Sequence, residues 1–416
     1  MLRRNSTYFF FSMFWLLSCG SAEQHTELPG PAALPAMAEL PDPLLMLDGM
    51  TRVQGSDDWT LRRRPELKRL FRHYVYGFSP DALPIRHHEV VVDDHAFDGA
   101  ATISEVEIVV GEEKTATISL LLVTPNDREG PLPVILQLNK CGNQSVTDNS
   151  FVTISNSWAS PIACNGPNDN RAHRADRFQL EYVVKRGYAV ATFHESDIDP
   201  DKPDFTDGVH ALFSVGVEPD IKWGTIAAWS WGLSRVIDYF YESSVINTDR
   251  IVLFGHSRRG KTSLLTAAMD ERVDLVVSHQ SGTAGAAISR SYNGESVKQI
   301  NDRFPHWFND VFPLFNDREE HLPIDQHELL ALVAPRSAFL TNGADDLWAD
   351  PAGTLQTAMA ASPVWKLFGE DGYDQLSPKH TNYDSSLAYF IRPGGHGVTL
   401  EDWEAITRYA DSQFAN

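Results

Sequence analysis

The sequence predicts an α/β fold in which helices cover both faces of a mostly parallel central sheet, with antiparallel strands at its N-terminal side. Three observations lead there. From residue 133 onward, short apolar, β-branched runs alternate with helical patterns, as in a sheet buried on both faces. Ahead of them, 101–110 and 115–123 alternate apolar and polar residues, the period of half-buried antiparallel strands. One apolar run, Ile251-Val252-Leu253-Phe254, leads straight into Gly255-His256-Ser257-Arg258-Arg259-Gly260-Lys261, a strand that must turn sharply into a helix.

Taken in order, the chain opens with Leu2-Arg3-Arg4, an apolar stretch over 8–17, and Ser18-Cys19-Gly20-Ser21-Ala22. A basic start, a short apolar segment and small residues make a secretory signal peptide, too short to span a membrane comfortably. Leu16-Leu17-Ser18-Cys19 is similar to a bacterial lipobox, which would leave a lipidated Cys19 as the membrane attachment. Cleavage after Ala22 is the other reading. Residues 23–43 are rich in Pro, Ala and Glu without apolar periodicity and read as an extended tether. The folded part is expected from residue 44. A helix with an early Pro65 is expected over 61–76, followed by the two antiparallel strands. Buried strands are expected at 133–138, 189–193, 251–254, 275–278, 337–341 and 388–391. Helices at 225–240 and 261–269 separate some of them, and a last helix covers 400–414.

No internal repeat and no second linker appear, so 44–416 reads as a single catalytic domain. Hydrophobic content of 42% supplies a packed core, which excludes wholesale disorder. The 56 acidic residues against 35 basic ones, a formal charge of −21, argue against a nucleic-acid partner, which needs a basic face. In an exported chain Cys141 and Cys164 make an even pair and point to a disulfide; two buried free thiols are the alternative. No cysteine–histidine cluster has zinc spacing. The run Asp197, Asp199, Asp201 lacks the glycine and terminal glutamate of a calcium loop and reads as loop carboxylates. No metal or organic cofactor is expected.

A serine at a strand-to-helix corner is how an α/β-hydrolase, a three-layer sandwich, exposes its nucleophile. That assigns Ser257. The usual elbow is Gly-x-Ser-x-Gly, and here the second glycine comes one residue late. The fold supplies acid and then base after the serine in chain order. Behind the 337–341 strand come Asn342-Gly343-Ala344-Asp345-Asp346, where Asp346 is preferred to Asp345 as the acid. Behind 388–391 come Pro393-Gly394-Gly395-His396-Gly397, a glycine-bounded loop whose His396 can reach the serine. His380 is a weaker rival, because it precedes the last strand. Each motif alone has a structural explanation; together, in order and each behind its own strand, they point to nucleophilic acyl transfer.

GHSRRGK resembles the Gly-x-Ser-Arg-x-Gly-Lys signature of the bacterial glucuronoyl esterases of carbohydrate esterase family 15. Further stretches agree: Leu138-Asn139 with Gly142-Asn143-Gln144-Ser145, Ser281 to Ala286, Gly294-Glu295-Ser296-Val297, Phe304 to Phe308, and Asp346 to Pro351. The likeness runs from about residue 61 to the C-terminus. It implies Ser257 as nucleophile, His396 as base, and Arg258 stabilising the oxyanion through its amide and guanidinium. It also implies that Lys261, Glu295 and Trp348 bind the glucuronate ring. The implied partner is glucuronoxylan, as an ester linking 4-O-methyl-glucuronic acid to lignin alcohols. With the N-terminal signal, a bacterial protein that is periplasmic, an outer-membrane lipoprotein or secreted is expected, as a monomer.

One position departs from that pattern. Many members carry their triad acid as a glutamate ahead of the Ser-Gly that follows the next strand. Here His279-Gln280-Ser281-Gly282 occupies that place, so the acid is expected from Asp346. Two other classes fit parts of the sequence: a different α/β-hydrolase, cleaving acetyl or galacturonate methyl esters or peptides, and a non-catalytic carbohydrate-binding protein. The second has no use for an ordered serine, aspartate and histidine.

Overall fold

A computed structural model describes residues 28–164, 170–213, 222–373 and 380–415. The expected signal segment and Cys19 lie outside the described residues. Nine strands form one sheet: β1 (Ile85–His95), β2 (Ala101–Val110), β3 (Ala116–Pro125), β4 (Leu132–Asn139), β5 (Ala189–His194), β6 (Ile246–His256), β7 (Leu275–His279), β8 (Ser337–Gly343) and β9 (Leu387–Arg392). Their order is β1-β2-β3-β5-β4-β6-β7-β8-β9. The pairs β1/β2, β2/β3 and β3/β5 are antiparallel, and from β5 onward all neighbours are parallel. With helices on both faces this is the expected α/β-hydrolase sandwich.

Alternation along the buried strands feeds two cores. Val134, Leu136 and Leu138 of β4, with Ile251 and Leu253 of β6, pack with residues of the Thr225–Glu242 and Arg258–Met269 helices. Ile135, Val252, Phe254 and Val277 pack with the Leu180–Lys185 and Leu400–Phe414 helices. Because both faces are covered, these strands lose the polar-out positions of a half-exposed sheet and read as continuous apolar runs. Each fully buried Leu, Val, Ile or Phe contributes about 1.5–3 kcal/mol of burial free energy.

The sequence did not predict β1. Its residues, IRHHEVVVDDH, are all exposed or half-exposed, because an edge strand that packs through only a few side chains, such as Ile85 and Val92, carries little period-2 apolar signal. The expected N-terminal helix is α-helical over Arg64–Phe71, with Pro65 as its second residue. Wider π-type turns flank it at Trp59–Arg63 and Arg72–Tyr76.

Residues 28–43, read as a tether, form no long element, yet they are docked on the body. Met37 N donates to Glu320 O at 2.8 Å. The carbonyls of Pro29, Leu34, Pro41 and Pro43 accept from Tyr74 Oη (2.7 Å), His321 Nδ1 (2.8 Å), His327 Nε2 (2.8 Å) and Arg63 Nε (3.1 Å). Proline has no N–H to offer, so the segment is held mainly through its acceptors. The cysteines form the expected disulfide, Cys141–Cys164, which staples the loop after β4. No helix among the described residues is long and apolar enough to cross a membrane.

Candidate active site

All the chemistry sits beyond the C-terminal ends of the parallel strands. β6 ends at His256 and the next helix starts at Arg258, so Ser257 makes the whole corner with φ 61° and ψ −126°. A non-glycine residue held there carries strain of about 1–3 kcal/mol, the kind concentrated at functional sites. Both glycines of the elbow are sterically required. A Cβ on Gly255 would lie 2.0 Å from Arg259 O, and one on Gly260 would lie 2.9 Å from both Gly255 O and Ser281 Cβ. The late second glycine is therefore the residue on which the helix presses against the strand end and the 281 turn. The first-turn amide of Arg258 has no intrahelical acceptor, which suits it to meet developing negative charge.

Behind β8 and β9 the expected partners meet. His396 Nδ1 lies 2.6 Å from Asp346 Oδ2; Asp346 is 5% exposed and His396 45%. Asp345 does something else: its carboxylate accepts from Gly394 N at 3.1 Å and steadies the loop. His380 is exposed and lies ahead of β9.

Gln280 has φ 47° and grips the histidine loop from both sides. Its Nε2 donates to Gly395 O (3.0 Å), and its Oε1 accepts from Gly397 N (2.8 Å) and lies 3.1 Å from His256 Nε2. His279 Nε2 (2.9 Å) and Arg392 Nη2 (2.7 Å) both meet Gly397 O. Gln280 thus holds the backbone around His396 rather than its imidazole. The His256 ring lies tilted against that of His396, with centroids 4.5 Å apart. Burial, then the neighbouring His279 and His396, push its pKa well below the ordinary histidine range, so it stays neutral beside an imidazolium formed at His396.

The Arg258 guanidinium is clamped. It pairs with Asp201 and lies 4.4 Å over Trp307 and 4.8 Å over Phe304. Asp201 also accepts from Trp307 Nε1 at 2.8 Å and sits 3.1 Å from His306 Nε2. Burial alone would raise its pKa, but the His306 hydrogen bond and the Arg258 charge hold it well below the usual carboxylate range. The loop carboxylates Asp197, Asp199 and Asp201 each have a partner. Asp197 accepts from Ser119 N and Ser157 Oγ, Asp199 from Thr225 Oγ1, and Asp201 braces Arg258. Among the described residues no cluster could hold a metal ion.

A cavity of about 330 Å³ brings together Ser257, Arg258, Lys261, Glu295, Trp348 and His396. Trp348 is 49% exposed. Lys261 is not: it is buried, and its ammonium donates to the carbonyls of Ser281 and Thr283. Burial pushes its pKa down to about 8 against the opposing pull of Glu295. With three donors and two spent, one N–H is left for a ligand. Glu295 N donates to Trp348 O at 3.1 Å, which ties the two wall residues together.

A family model for the glucuronyl esterases of fungi matches residues 174–369. A carbohydrate esterase from an unknown prokaryotic organism is 38% identical over 384 residues, covering 89% of each chain. This chain belongs to carbohydrate esterase family 15. A solved glucuronoyl esterase from Solibacter usitatus superposes with a TM-score of 0.82 at 35% identity, over 92% of this chain and 100% of that one. A promiscuous esterase of the same family from a marine bacterial metagenome superposes equally well, with a TM-score of 0.82 at 37% identity over 92% and 98%. A 4-O-methyl-glucuronoyl methylesterase from Phanerochaete carnosa is 27% identical over 84% of this chain and 78% of its own.

In this family 15 esterase the elbow with Lys261, Glu295, the Asp346/Trp348 turn and His396 converge from the segments behind four strands, β6, β7, β8 and β9. Sequence reasoning missed three supports. Asp201 and His306 lie about 100 residues apart, with no shared motif to link them to Arg258. Arg392, 4% exposed and bound by Asp402 through Nε at 2.8 Å, is one residue beyond an expected strand. The signal was there only in retrospect: an arginine closing an apolar strand needs a buried partner.

Proposed function

We propose that the chain is a serine esterase hydrolysing esters of 4-O-methyl-glucuronic acid that join xylan to lignin alcohols. Ser257 Oγ attacks the uronoyl carbonyl while His396 takes its proton. The tetrahedral oxyanion is met by the Arg258 amide and guanidinium. The bond to the alcohol oxygen breaks, that oxygen receives the proton from His396, and the acyl group stays on Ser257. A water molecule, deprotonated by His396, then releases the uronic acid and restores the serine. Asp346 keeps Nδ1 protonated so that Nε2 is the free base, and it offsets the charge of the imidazolium.

The His396–Asp346 contact beside a strained Ser257 carries this reading, because a carbohydrate-binding protein has no need of it. The uronate assignment is supported by the 4-O-methyl-glucuronoyl methylesterases among the relatives and by a wall that offers an ammonium, a carboxylate and an indole to sugar hydroxyls. The disulfide favours an oxidising compartment, which fits export with the chain either lipidated at Cys19 or cleaved after Ala22. Hydrolysis of benzyl glucuronate should exceed that of acetate esters and of galacturonate methyl ester. Cleavage of acetate esters alone would overturn the uronate assignment.

A further inference from the structure

An ester has two halves, and two cavities meet at Ser257. The one lined by Lys261, Glu295 and Trp348 suits the uronoyl half. The second, of about 260 Å³, shares Ser257, Arg258 and His396 with the first and opens towards the end of β4. Its lining is unlike the rest of a chain with a net charge of −21. Lys140, Arg174, Arg177 and Arg259 join Arg258 there, and no aspartate or glutamate lines it. Asp201 answers Arg258, and Glu195 answers Arg259 at 2.6 Å. Among the described residues Lys140, Arg174 and Arg177 have no such carboxylate partner; Arg174 reaches only the carbonyl of Ala163. Buried donors on the lining also lack acceptors: Gln137 Nε2, Arg174 Nε and Arg259 Nε make no hydrogen bond. Gln137 is 3% exposed. Buried N–H groups without acceptors are costly; Asn139 Oδ1 on the same lining is likewise unpartnered, so it is the surplus of cations that calls for an anion. Phe178, Phe254 and Val398 supply apolar walls beside them, wide enough for a ring.

We propose that this second cavity is the leaving-group subsite and that it selects esters whose alcohol is an aryl alcohol bearing a carboxylate. This rests on the uronoyl ester reading above. The carboxylate would accept from Lys140, Arg174 and Arg177 while the alcohol oxygen lies at His396, which must protonate it. A charge-assisted pair in a half-buried site is stronger than a neutral contact, and the apolar walls keep water from competing for it.

The test is the ratio of kcat/KM for 4-carboxybenzyl glucuronate to that for benzyl glucuronate, measured on the full chain at low salt. A ratio of about 10 to 100 is expected for one charge-assisted contact. It should shrink as salt rises, and it should fall several-fold in Arg177→Gln and in Lys140→Gln. Taking the ratio within each variant removes any general loss of activity. A wild-type ratio near one overturns the subsite while leaving the uronoyl esterase reading intact. So does a ratio that survives both substitutions. Failure to hydrolyse either ester overturns the uronoyl reading and the subsite with it.

Discussion

Asp346→Asn removes the charge that His396 depends on without changing the size of the side chain. At 2.6 Å an imidazolium–carboxylate pair is worth about 6 kcal/mol at an effective dielectric of ~20. His396 keeps 45% of its side chain exposed, and water screens part of that, so roughly 4 kcal/mol is a better figure for the transition state. At about 1.4 kcal/mol per decade, kcat should fall on the order of 1000-fold. An asparagine can also donate to Nδ1 and so force the unproductive tautomer, as in other serine triads. Gln280→Ala breaks two hydrogen bonds to the loop at Gly395 and Gly397, each worth about 0.5–1.5 kcal/mol, and removes no charge. It should cost about 10-fold. Steady-state kcat and KM on benzyl glucuronate, with circular dichroism to confirm folding, compare the two variants. Equal losses in kcat, or an Asp346→Asn variant within 10-fold of the wild type, would refute the assignment of the acid.

Three other outcomes follow from the same geometry. Trp348→Ala, at a half-exposed wall position, should raise KM by about 10-fold and leave kcat within a few-fold, because its contact is the same in ground and transition states; a loss confined to kcat would contradict this. Asp201→Asn frees the Arg258 guanidinium from its brace, and kcat should drop by about 10- to 100-fold, a fraction of the cost of losing an oxyanion donor outright, with urea unfolding showing whether stability changes as well. Burial pushes Lys140 down to about 8, assisted by Arg259 and opposed by Glu195, so it loses its charge as pH rises through that value. The preference for the carboxybenzyl ester should therefore decline between about pH 7 and 9, and a flat ratio across that range would remove Lys140 from the subsite.

Much of the fold was legible because its buried strands and their order leave strong local signals. The runs at β4 to β9 are apolar on both faces, and each functional loop follows directly behind one of them. The serine corner was legible for the same reason: Gly255 and Gly260 are demanded by a turn that only a few residues define. The candidate acid was legible as a choice between adjacent aspartates, and the register of the turn after Gly343 turned Asp346 to the imidazole and Asp345 to the backbone of Gly394. β1 was not legible, since an exposed edge strand has little apolar pattern to read. The docking of 28–43 was not either, because prolines advertise an extended chain but not the side chains that bind their carbonyls.

By itself, then, the sequence determined the layered α/β plan, the serine corner, the places of the candidate acid and base behind their strands, and the pairing of two cysteines. These depend on residues close in the chain, or on a pattern that one strand carries alone. Only the tertiary structure decided what surrounds them. It brought Asp201 onto Arg258 and His306 onto Asp201, closed Gln280, His279 and Arg392 around the histidine loop, and turned Lys261 inward to two carbonyls. It also gathered Lys140, Arg174 and Arg177 on the far side of Ser257. Such contacts join residues tens to hundreds of positions apart, and their energy comes from burial and charge, which exist only once the chain has folded.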